Sequence, residues 1–514
     1  MMRETLAIAR IAVLVAASAA APASAGDWLT AESEHFIVRS DGPGRKVQDY
    51  LRKLEAFRYL SLLMLGADAA GAREQVKFDI HLLRDQADMQ KVRPEFSKLV
   101  AGVYFHCAEG SGAYSTLQDR PRIDDIDPGQ VVLFHEYAHH LMTQYAKAYY
   151  PQWYVEGFAE YMSTAYVEED KISLGYPFPE RSWLLRQGRW IGFDRVLKPG
   201  FKGRGDKADD EWEVLSFYAQ SWILVHYMLG DSDRTQKFNA YFARIGAGED
   251  PIAAFEPATG MAIDTLERRL KRYAENMPVV TVASKGMPKA SIKTEVLPDN
   301  AKDYLLNASL LKTCLSKPQG ETVLAQLRAL KGAAGNPPPA LRLAIDRAEI
   351  LFGDVKAARD DLQAYVTADE TSFDAHHLLG RAWMTVAQDL DGEGRAAAMA
   401  QARSQFLKAY RLKKLDAANL YHLAQAMAVD GVSASVVNAA RGARALAPGV
   451  SDYAIYEAFI DIDANERDKA VQALMPLASN PHDPQQSARV RDAIEAIKAG
   501  KGKSDISRAL NPAP

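Results

Sequence analysis

The spacing of hydrophobic residues divides the chain into a front half of strands and helices and a back half of helices. A helix is predicted over residues 50–65, where apolar side chains recur at helical intervals. Phe78, Ile80 and Leu82 alternate with polar residues and define the inner face of a half-buried strand. The short strands predicted in this half are residues 35–39, 76–83, 99–104 and 112–117. A small mixed α/β region is therefore expected over residues 27–125.

From about residue 301 onward, the chain is rich in Ala and Leu at helical spacing and has no strand pattern. Similar helical positions recur, with steps of 44, 34 and 34 residues, at Ala358, Ala402, Val436 and Ala470. A period of 34 residues is that of the helix-turn-helix tetratricopeptide repeat. Leu379-Gly380 followed by Trp383 resembles the first helix of that repeat, and an insertion at residues 391–394 accounts for the longer step. The resemblance implies an all-α solenoid of degenerate repeats.

The first 25 residues have the pattern of a secretory signal peptide. Arg3 and Arg10 supply positive charge, a short Ala-rich apolar run follows, and residues 23–25 form an A-x-A cleavage site before Gly26. We therefore expect an exported protein, in the periplasm or secreted outright. No later segment is apolar over the length of a bilayer, so no membrane span is expected in the mature chain.

Changes in composition predict the domain boundaries. The expected divisions are a signal peptide over residues 1–25, an α/β domain over 26–276, a linker over 277–300, helical repeats over 301–498 and a disordered tail over 499–514.

Two segments of the front domain carry the strongest chemical pattern. The first reads H-E-Y-A-H from His135 to His139, and Glu156 follows seventeen residues later. Residues four apart share one face of a helix, so both imidazoles can reach a single metal ion. Two imidazoles, a carboxylate and an open fourth position are the ligand set of a catalytic zinc. Glu136 flanks that face, where its carboxylate can take a proton from a water that the metal activates.

The sequence before His135 favours a helix with a buried face. Asp127 is suited to the N-cap, and Pro128 to the first helical position. Residues 131–134 are all apolar, which would bury the next turn and exclude water from the site. The alternative is a buried helix whose histidines only form hydrogen bonds, but that alternative must explain two matched segments rather than one.

The two segments resemble the paired active-site helices of the gluzincin metallopeptidases, the clan of thermolysin and the membrane aminopeptidases. The resemblance implies a zincin-like α+β domain with a small N-terminal sheet, an active-site helix and a helical C-terminal subdomain. It implies that His135, His139 and Glu156 bind Zn²⁺ and that Glu136 is the general base. Glu160 corresponds to an acidic residue that orients a ligand histidine. Because the gap before Glu156 is slightly short for the clan, Glu160 is also the alternative ligand.

Residues 217–229 resemble the helix that carries the catalytic tyrosine of the aminopeptidase branch. Tyr218 matches that tyrosine, and the resemblance implies that its phenol hydrogen-bonds the oxyanion of the tetrahedral intermediate. His226 and Tyr227 are weaker candidates for this role. A purely structural role, in which Tyr218 only begins a buried helix, also fits the pattern.

In this clan the edge strand of the sheet binds extended substrate by backbone hydrogen bonding. Gly112, Ala113 and Tyr114 are the predicted edge residues and substrate-binding residues. The aminopeptidase branch carries a Gly-Ala-Met-Glu-Asn motif there, whose Glu binds the free amine of the substrate. No acidic residue follows Tyr114 at the required place, which disfavours an exopeptidase directed at the amino terminus unless Glu109 substitutes.

The charge balance limits the classes of binding partner, and the cysteine content limits the possible disulfides. The chain has 62 Lys and Arg against 66 Asp and Glu, a formal net charge of −4, without a basic cluster. Nucleic acid is therefore not an expected partner. Cys107 and Cys314 can pair in an exported protein, but the sequence does not determine whether they do.

The sequence thus predicts an exported zinc-dependent metallopeptidase that acts on a peptide or protein. One alternative is a catalytically silent adaptor of the cell envelope that binds partners through its repeats, and another is a zinc hydrolase of a non-peptide substrate. The repeats themselves could bind a partner on a concave surface or merely support the catalytic domain. Substrate identity, endo- or exopeptidase mode and oligomeric state are left open.

Overall fold

The structure is a computed structural model. It describes residues 28–69, 76–96, 100–117, 127–145, 150–168, 171–177, 179–187, 189–201, 207–283, 287, 289–334, 337–479 and 483–511. The predicted signal peptide lies outside the described residues. Within these ranges, no helix combines the length and the apolar character needed to cross a bilayer.

Two sheets form the β-structure of the front half. The strands are β1 Leu29–Glu32, β2 Phe36–Ser40, β3 Phe78–Leu83, β4 Gly102–Cys107, β5 Gly110–Thr116, β6 Tyr166–Val167, β7 Lys171–Leu174, β8 Val280–Ala283 and β9 Lys293–Val296. The main sheet has the order β4-β5-β3-β2-β1-β9, and the small sheet has the order β6-β7-β8. In the main sheet, β2, β3 and β5 are parallel to one another, whereas β4 pairs with β5 in antiparallel orientation.

The prediction that Gly112, Ala113 and Tyr114 lie at the sheet edge is wrong. These residues belong to β5, which pairs with β3 on one side and with β4 on the other. Because β4 and β5 form a hairpin and β5 takes the place beside β3, β4 becomes the outermost strand. Any substrate that adds a strand at this edge would therefore pair with β4.

Helices make up most of the described chain. Those of the front half are α1 Gly44–Met64, α2 Gln86–Val92, α3 Pro128–Tyr145, α4 Gln152–Ser163, α5 Pro179–Arg186, α6 Phe193–Val196, α7 Lys207–Leu229, α8 Ser232–Gly246, α9 Pro251–Thr259 and α10 Ile263–Ala274. One face of the main sheet packs on α1 and α3, and stacked rings of Phe57 and Phe134, with centroids 4.0 Å apart, join these helices. The predicted start of α3 is confirmed, since the Gly129 amide donates to the Asp127 carboxylate at 2.8 Å.

The back half contains helices only, among the residues that the structure describes after β9. Its elements are α11 Ala301–Leu310, α12 Lys317–Ala334, α13 Pro339–Phe352, α14 Val355–Ala368, α15 Phe373–Gln388, α16 Gly392–Leu412, α17 Ala417–Ala428, α18 Ala434–Leu446, α19 Ser451–Asp463, α20 Arg467–Leu474, a 3₁₀ turn Met475–Ser479, α21 Pro484–Lys498 and α22 Lys503–Leu510. From α13 to α20, successive helices pack against their neighbours in the chain, as in a solenoid. The four positions that recur with the repeat period are all buried, and each lies in the second helix of a pair: Ala358, Ala402, Val436 and Ala470.

Close packing of α15 against α16 explains why the repeat pattern has a glycine at position 380. A Cβ atom at Gly380 in α15 would lie 2.6 Å from the ring of Phe406 in α16. Any larger side chain would push the two helices apart. The Leu-Gly element of the predicted repeat therefore has a steric basis in this chain.

The first helices of the back half cover the second face of the main sheet. Tyr114 on β5 and Leu83 on β3 pack in one cluster with side chains of α11 to α13. As a result, His81 and Leu83 of β3 are buried together with the predicted inner residues. The strand is buried on both faces rather than half-buried, because the helices that cover it come from a distant part of the chain.

The segments predicted as a linker, residues 277–300, and as a disordered tail, residues 499–514, both contain regular secondary structure. The predicted linker contains β8 and β9, which pair with β7 and β1 and so return the chain to both sheets. The predicted disordered tail contains α22, whose Ile506 and Leu510 are buried against α21 and its neighbours. Short amphipathic segments of this kind are ordered by packing partners that local composition does not reveal.

A disulfide joins the two halves of the chain. Cys107 at the end of β4 and Cys314 after α11 are bonded, with Cα atoms 5.7 Å apart. That separation is ordinary for a disulfide. The bond fixes the end of the edge strand to the first helices of the back half.

Candidate metal centre

The predicted ligands converge between α3 and α4. The Nε2 atoms of His135 and His139 lie 3.0 Å apart on α3. The Oε2 atom of Glu156, on α4, is 3.4 Å from each of these nitrogens. All three ligand atoms lie within 4.8 Å of one another. The shorter-than-usual spacing between the two segments therefore does not displace Glu156 from the site.

The distances fit one small divalent cation. A zinc ion bonds imidazole nitrogen and carboxylate oxygen at about 2.0–2.2 Å, so tetrahedral angles place its ligand atoms about 3.3–3.5 Å apart. The two Glu156 contacts match that spacing, and the histidine pair is slightly closer. Two ring nitrogens that face each other beside a fully buried carboxylate also need a proton or a cation between them.

The electrostatic surroundings favour positive charge at this point. Burial disfavours the charged form of His135, but a hydrogen bond to Glu156 and the charges of Glu160, Glu156 and Glu136 outweigh it. Together they raise the pKa of His135 to about 9. Glu136 is half-buried on the same helix, near enough for its charge to act on the ring. A pocket that stabilises an imidazolium in this way is also suited to a metal cation.

A chain of polar contacts extends behind His135. Glu160 on α4 places Oε1 3.7 Å from His135 Nδ1, the ring nitrogen that faces away from the other ligands. Arg181 on α5 donates to both oxygens of Glu160, at 3.0 and 2.6 Å. Glu160 thus faces the outward nitrogen of His135, a position from which its carboxylate can orient that ring. Its role as the alternative ligand is not needed for the cluster, which Glu156 completes.

Arg181 is the residue that the sequence analysis missed. Its guanidinium also lies over the ring of Tyr218, 5.6 Å from the ring centroid. No local spacing connects α5 to the two motif segments. The sequence offered only an indirect indication of Arg181. A buried Glu160 needs a positively charged partner, but the sequence does not say which residue supplies it.

Tyr218 is also brought to the centre. Its hydroxyl donates to Glu156 Oε1 at 3.1 Å. Burial and the negative charge of Glu156 raise the pKa of Tyr218, so the phenol is a hydrogen-bond donor at neutral pH. The close crossing of α4 and α7 permits this contact, since a Cβ atom at Gly157 would lie 2.4 Å from the carbonyl oxygen of Ser221.

The remaining candidates lie elsewhere. His226 is held by the Gly175 carbonyl and the Tyr273 hydroxyl, at 3.0 and 2.9 Å, which indicates a structural role. Glu109, considered as an amine-binding residue, forms ion pairs with arginines of the back half. These contacts oppose its use as a substrate ligand.

Replacing Arg181 by Met is expected to weaken metal binding about tenfold, in the range typical of residues that support metal ligands. Glu160 would lose its two donors and with them its fixed position behind His135. Chelator competition measures the affinity. Arg195→Met is the matched control, because Arg195 makes an equivalent two-bond pair with Glu213 away from the cluster. Arg181→Lys should recover part of the affinity, and equal affinities for both Met variants would contradict the role.

Comparisons with known proteins add little to this geometry. No protein-family model matches the sequence, and no curated protein matches it. Among solved structures, a thermophilic TPR protein from Thermus thermophilus matches 39% of this chain and 99% of its own length. The identity is 15% and the TM-score is 0.33, so this likeness carries no argument about fold or function.

Proposed function

We propose that the protein is an exported zinc-dependent metallopeptidase. The observation that carries the proposal is the convergence of His135, His139 and Glu156, with ligand atoms 3.0–3.4 Å apart, beside the half-buried carboxylate of Glu136. Three protein ligands that leave a further position free are typical of catalytic rather than structural zinc sites. The proposal includes a zincin-like fold for the front half, supported by the packing of α3 under a sheet with an antiparallel edge strand.

The residues of the site divide the work of peptide hydrolysis. A zinc ion held by His135, His139 and Glu156 would supply Lewis acidity toward a water and a carbonyl oxygen. Glu136 takes the proton of the attacking water and later delivers it to the leaving amine. Glu160, fixed by Arg181, keeps the His135 ring in orientation.

Tyr218 stabilises the negative charge that develops on the carbonyl oxygen of the substrate. Its hydroxyl already points into the cluster, where it donates to Glu156. A rotation of that hydroxyl toward the oxyanion exchanges one acceptor for another that becomes charged only in the transition state. Peptide substrate would be held in extended form along β4, one of the two edge strands of the main sheet.

Tyr218→Phe is expected to lower kcat about 10²-fold, because loss of one oxyanion donor typically costs that much. The metal content should not change, since Tyr218 contacts Glu156 through Oε1, whereas Oε2 faces the histidines. Steady-state kinetics on an unfolded protein substrate provides the test. Tyr227→Phe on the same helix is the control, because Tyr227 packs on Tyr273 and Arg234 instead. Equal kcat values for the two variants would assign Tyr218 a structural role.

The direct test of the function uses the purified mature protein and unfolded protein substrates. Hydrolysis should disappear after chelation and return when one equivalent of zinc is added. Hydrolysis that persists in the metal-free protein would contradict the proposal.

We further infer that the back half is a degenerate tetratricopeptide array. The 34-residue recurrence of buried positions and the steric requirement at Gly380 support this inference.

A further inference from the structure

The helical back half contacts the chain's own β4–β5 turn. Glu109, in that turn, forms ion pairs with Arg347 of α13 and Arg381 of α15. The neighbouring carbonyl of Ala108 accepts a hydrogen bond from the Tyr453 hydroxyl of α19 at 2.9 Å. The repeats therefore hold the end of the edge strand, which the disulfide at Cys107 also anchors.

A cavity of about 910 Å³ lies beside this turn. One wall comes from the end of the main sheet and α3, with Tyr104, His106 and His140, and the opposite wall from the repeats, with Phe373, His377 and Tyr453. This volume is in the range of pockets that bind small ligands. The cavity reaches the metal centre's own helix, because His140 follows the ligand His139 and contacts the Tyr104 hydroxyl at 3.3 Å.

Most charges around the cavity are neutralised by neighbours. Arg39 pairs with Asp79, Lys413 pairs with Asp416 at 2.9 Å, and Lys77 pairs with Glu32. Two cations, Arg347 and Arg381, share the single carboxylate of Glu109, which leaves one positive charge in excess.

Lys312 is a further cation in the cavity wall. Its side chain runs along Gly110 at the start of β5 and lines the cavity. In the described part of the chain, its ammonium has neither a hydrogen bond nor an ion pair. The acidic groups whose charge acts on it are Asp79, already paired, and Asp374, which is exposed and also lines the cavity. Burial first, and the charge of Arg347 second, lower the pKa of Lys312. A bound anion would offset both effects.

We propose that this cavity binds a carboxylate group of the peptide that the metal centre acts on, with Lys312 and Arg347 as its cationic partners. The proposal rests on the proposed function and names a selectivity for it. A peptide paired with β4 extends toward His106, where the strand ends at the cavity. A carboxylate entering there meets the half-buried Lys312, whose ammonium lacks a counter-ion among the described residues, and such charge-assisted contacts are stronger than neutral ones.

The carboxylate has two possible sources, an acidic side chain or the carboxyl terminus of the peptide. Fluorescent peptides of equal length separate them. One carries a single Glu and a free carboxyl terminus, a second has that Glu replaced by Gln, and a third has an amidated terminus. Weaker binding of the Gln peptide assigns the side chain, and weaker binding of the amidated peptide assigns the terminus. Equal binding of all three would overturn the proposal.

Binding is measured on the full-length mature protein after metal removal, so that no hydrolysis interferes. Lys312→Met should weaken binding of the carboxylate peptide about tenfold or more, as expected for a hydrogen bond to a charged group. Lys312→Arg should retain most of the affinity, which guards against a simple folding defect. Lys302→Met is the control, since Lys302 is exposed on α11.

Equal peptide affinities for Lys312→Met and Lys302→Met would overturn the carboxylate site. This outcome is distinguishable from failure of the proposed function. If the zinc-loaded protein does not hydrolyse peptides but the metal-free protein still discriminates the carboxylate, only the peptidase proposal is contradicted.

Discussion

Replacing Glu136 by Gln is expected to reduce hydrolysis of an unfolded protein about 10³-fold while zinc stays bound. The amide keeps the size of the side chain but cannot accept the proton of the attacking water, and general-base catalysis is typically worth about 10²–10⁴ in rate. Glu136 lies outside the cluster formed by the histidines and Glu156, so metal affinity should change little. Metal analysis of the purified variant is paired with single-turnover assays.

Glu256→Gln is the control for this experiment, because Glu256 is exposed on α9 and has no part in the site. Its activity should equal that of the wild type. Two outcomes would contradict the assignment of Glu136. Undiminished hydrolysis would show that another group accepts the proton, and loss of the zinc would make Glu136 a ligand.

Replacing Glu156 by Gln is expected to lower zinc affinity more than about 100-fold, beyond the range typical of residues that only support ligands. The side chain is fully buried, and its Oε2 atom faces both histidine nitrogens at 3.4 Å. An amide oxygen is a weaker zinc ligand than a carboxylate and does not neutralise the ion's charge. Zinc retained after dialysis and affinity from chelator competition provide the measurement.

Glu160→Gln serves as the comparison, since the sequence left Glu160 as the alternative ligand. With a Glu160 oxygen 3.7 Å from the outward nitrogen of His135, this variant should weaken binding only about tenfold. If Glu160→Gln loses the metal and Glu156→Gln keeps it, the ligand assignment is reversed.

The local sequence pattern was sufficient to predict the helices that form the candidate metal centre. The Asp127 cap, the four-residue spacing of the histidines and the apolar turn before them predicted α3, and the structure has that helix. The cluster with Glu156 could be predicted because a motif on two successive helices depends on short-range geometry.

Contacts between residues far apart in the sequence could not be predicted from local patterns. A strand's place in a sheet depends on pairing partners that lie elsewhere in the sequence, so the sequence of β5 did not reveal that β4 lies outside it. Strands β8 and β9 are short and mostly exposed. Their apolar and polar residues therefore do not follow a pattern from which a strand could be predicted. Arg181 could not be predicted because its partner Glu160 is twenty-one residues away on another helix.

The return of the chain through β9 has a consequence for dissecting this protein. A fragment that stops at residue 276 would lack the strand that shields β1 and would leave that strand's hydrogen-bonding groups bare. It would also lose the helices that cover Tyr114 and Leu83. One apolar face of the sheet would then be exposed to solvent and prone to aggregation. The two halves thus share one sheet and one packed cluster, and a fragment truncated at the apparent junction is expected to aggregate.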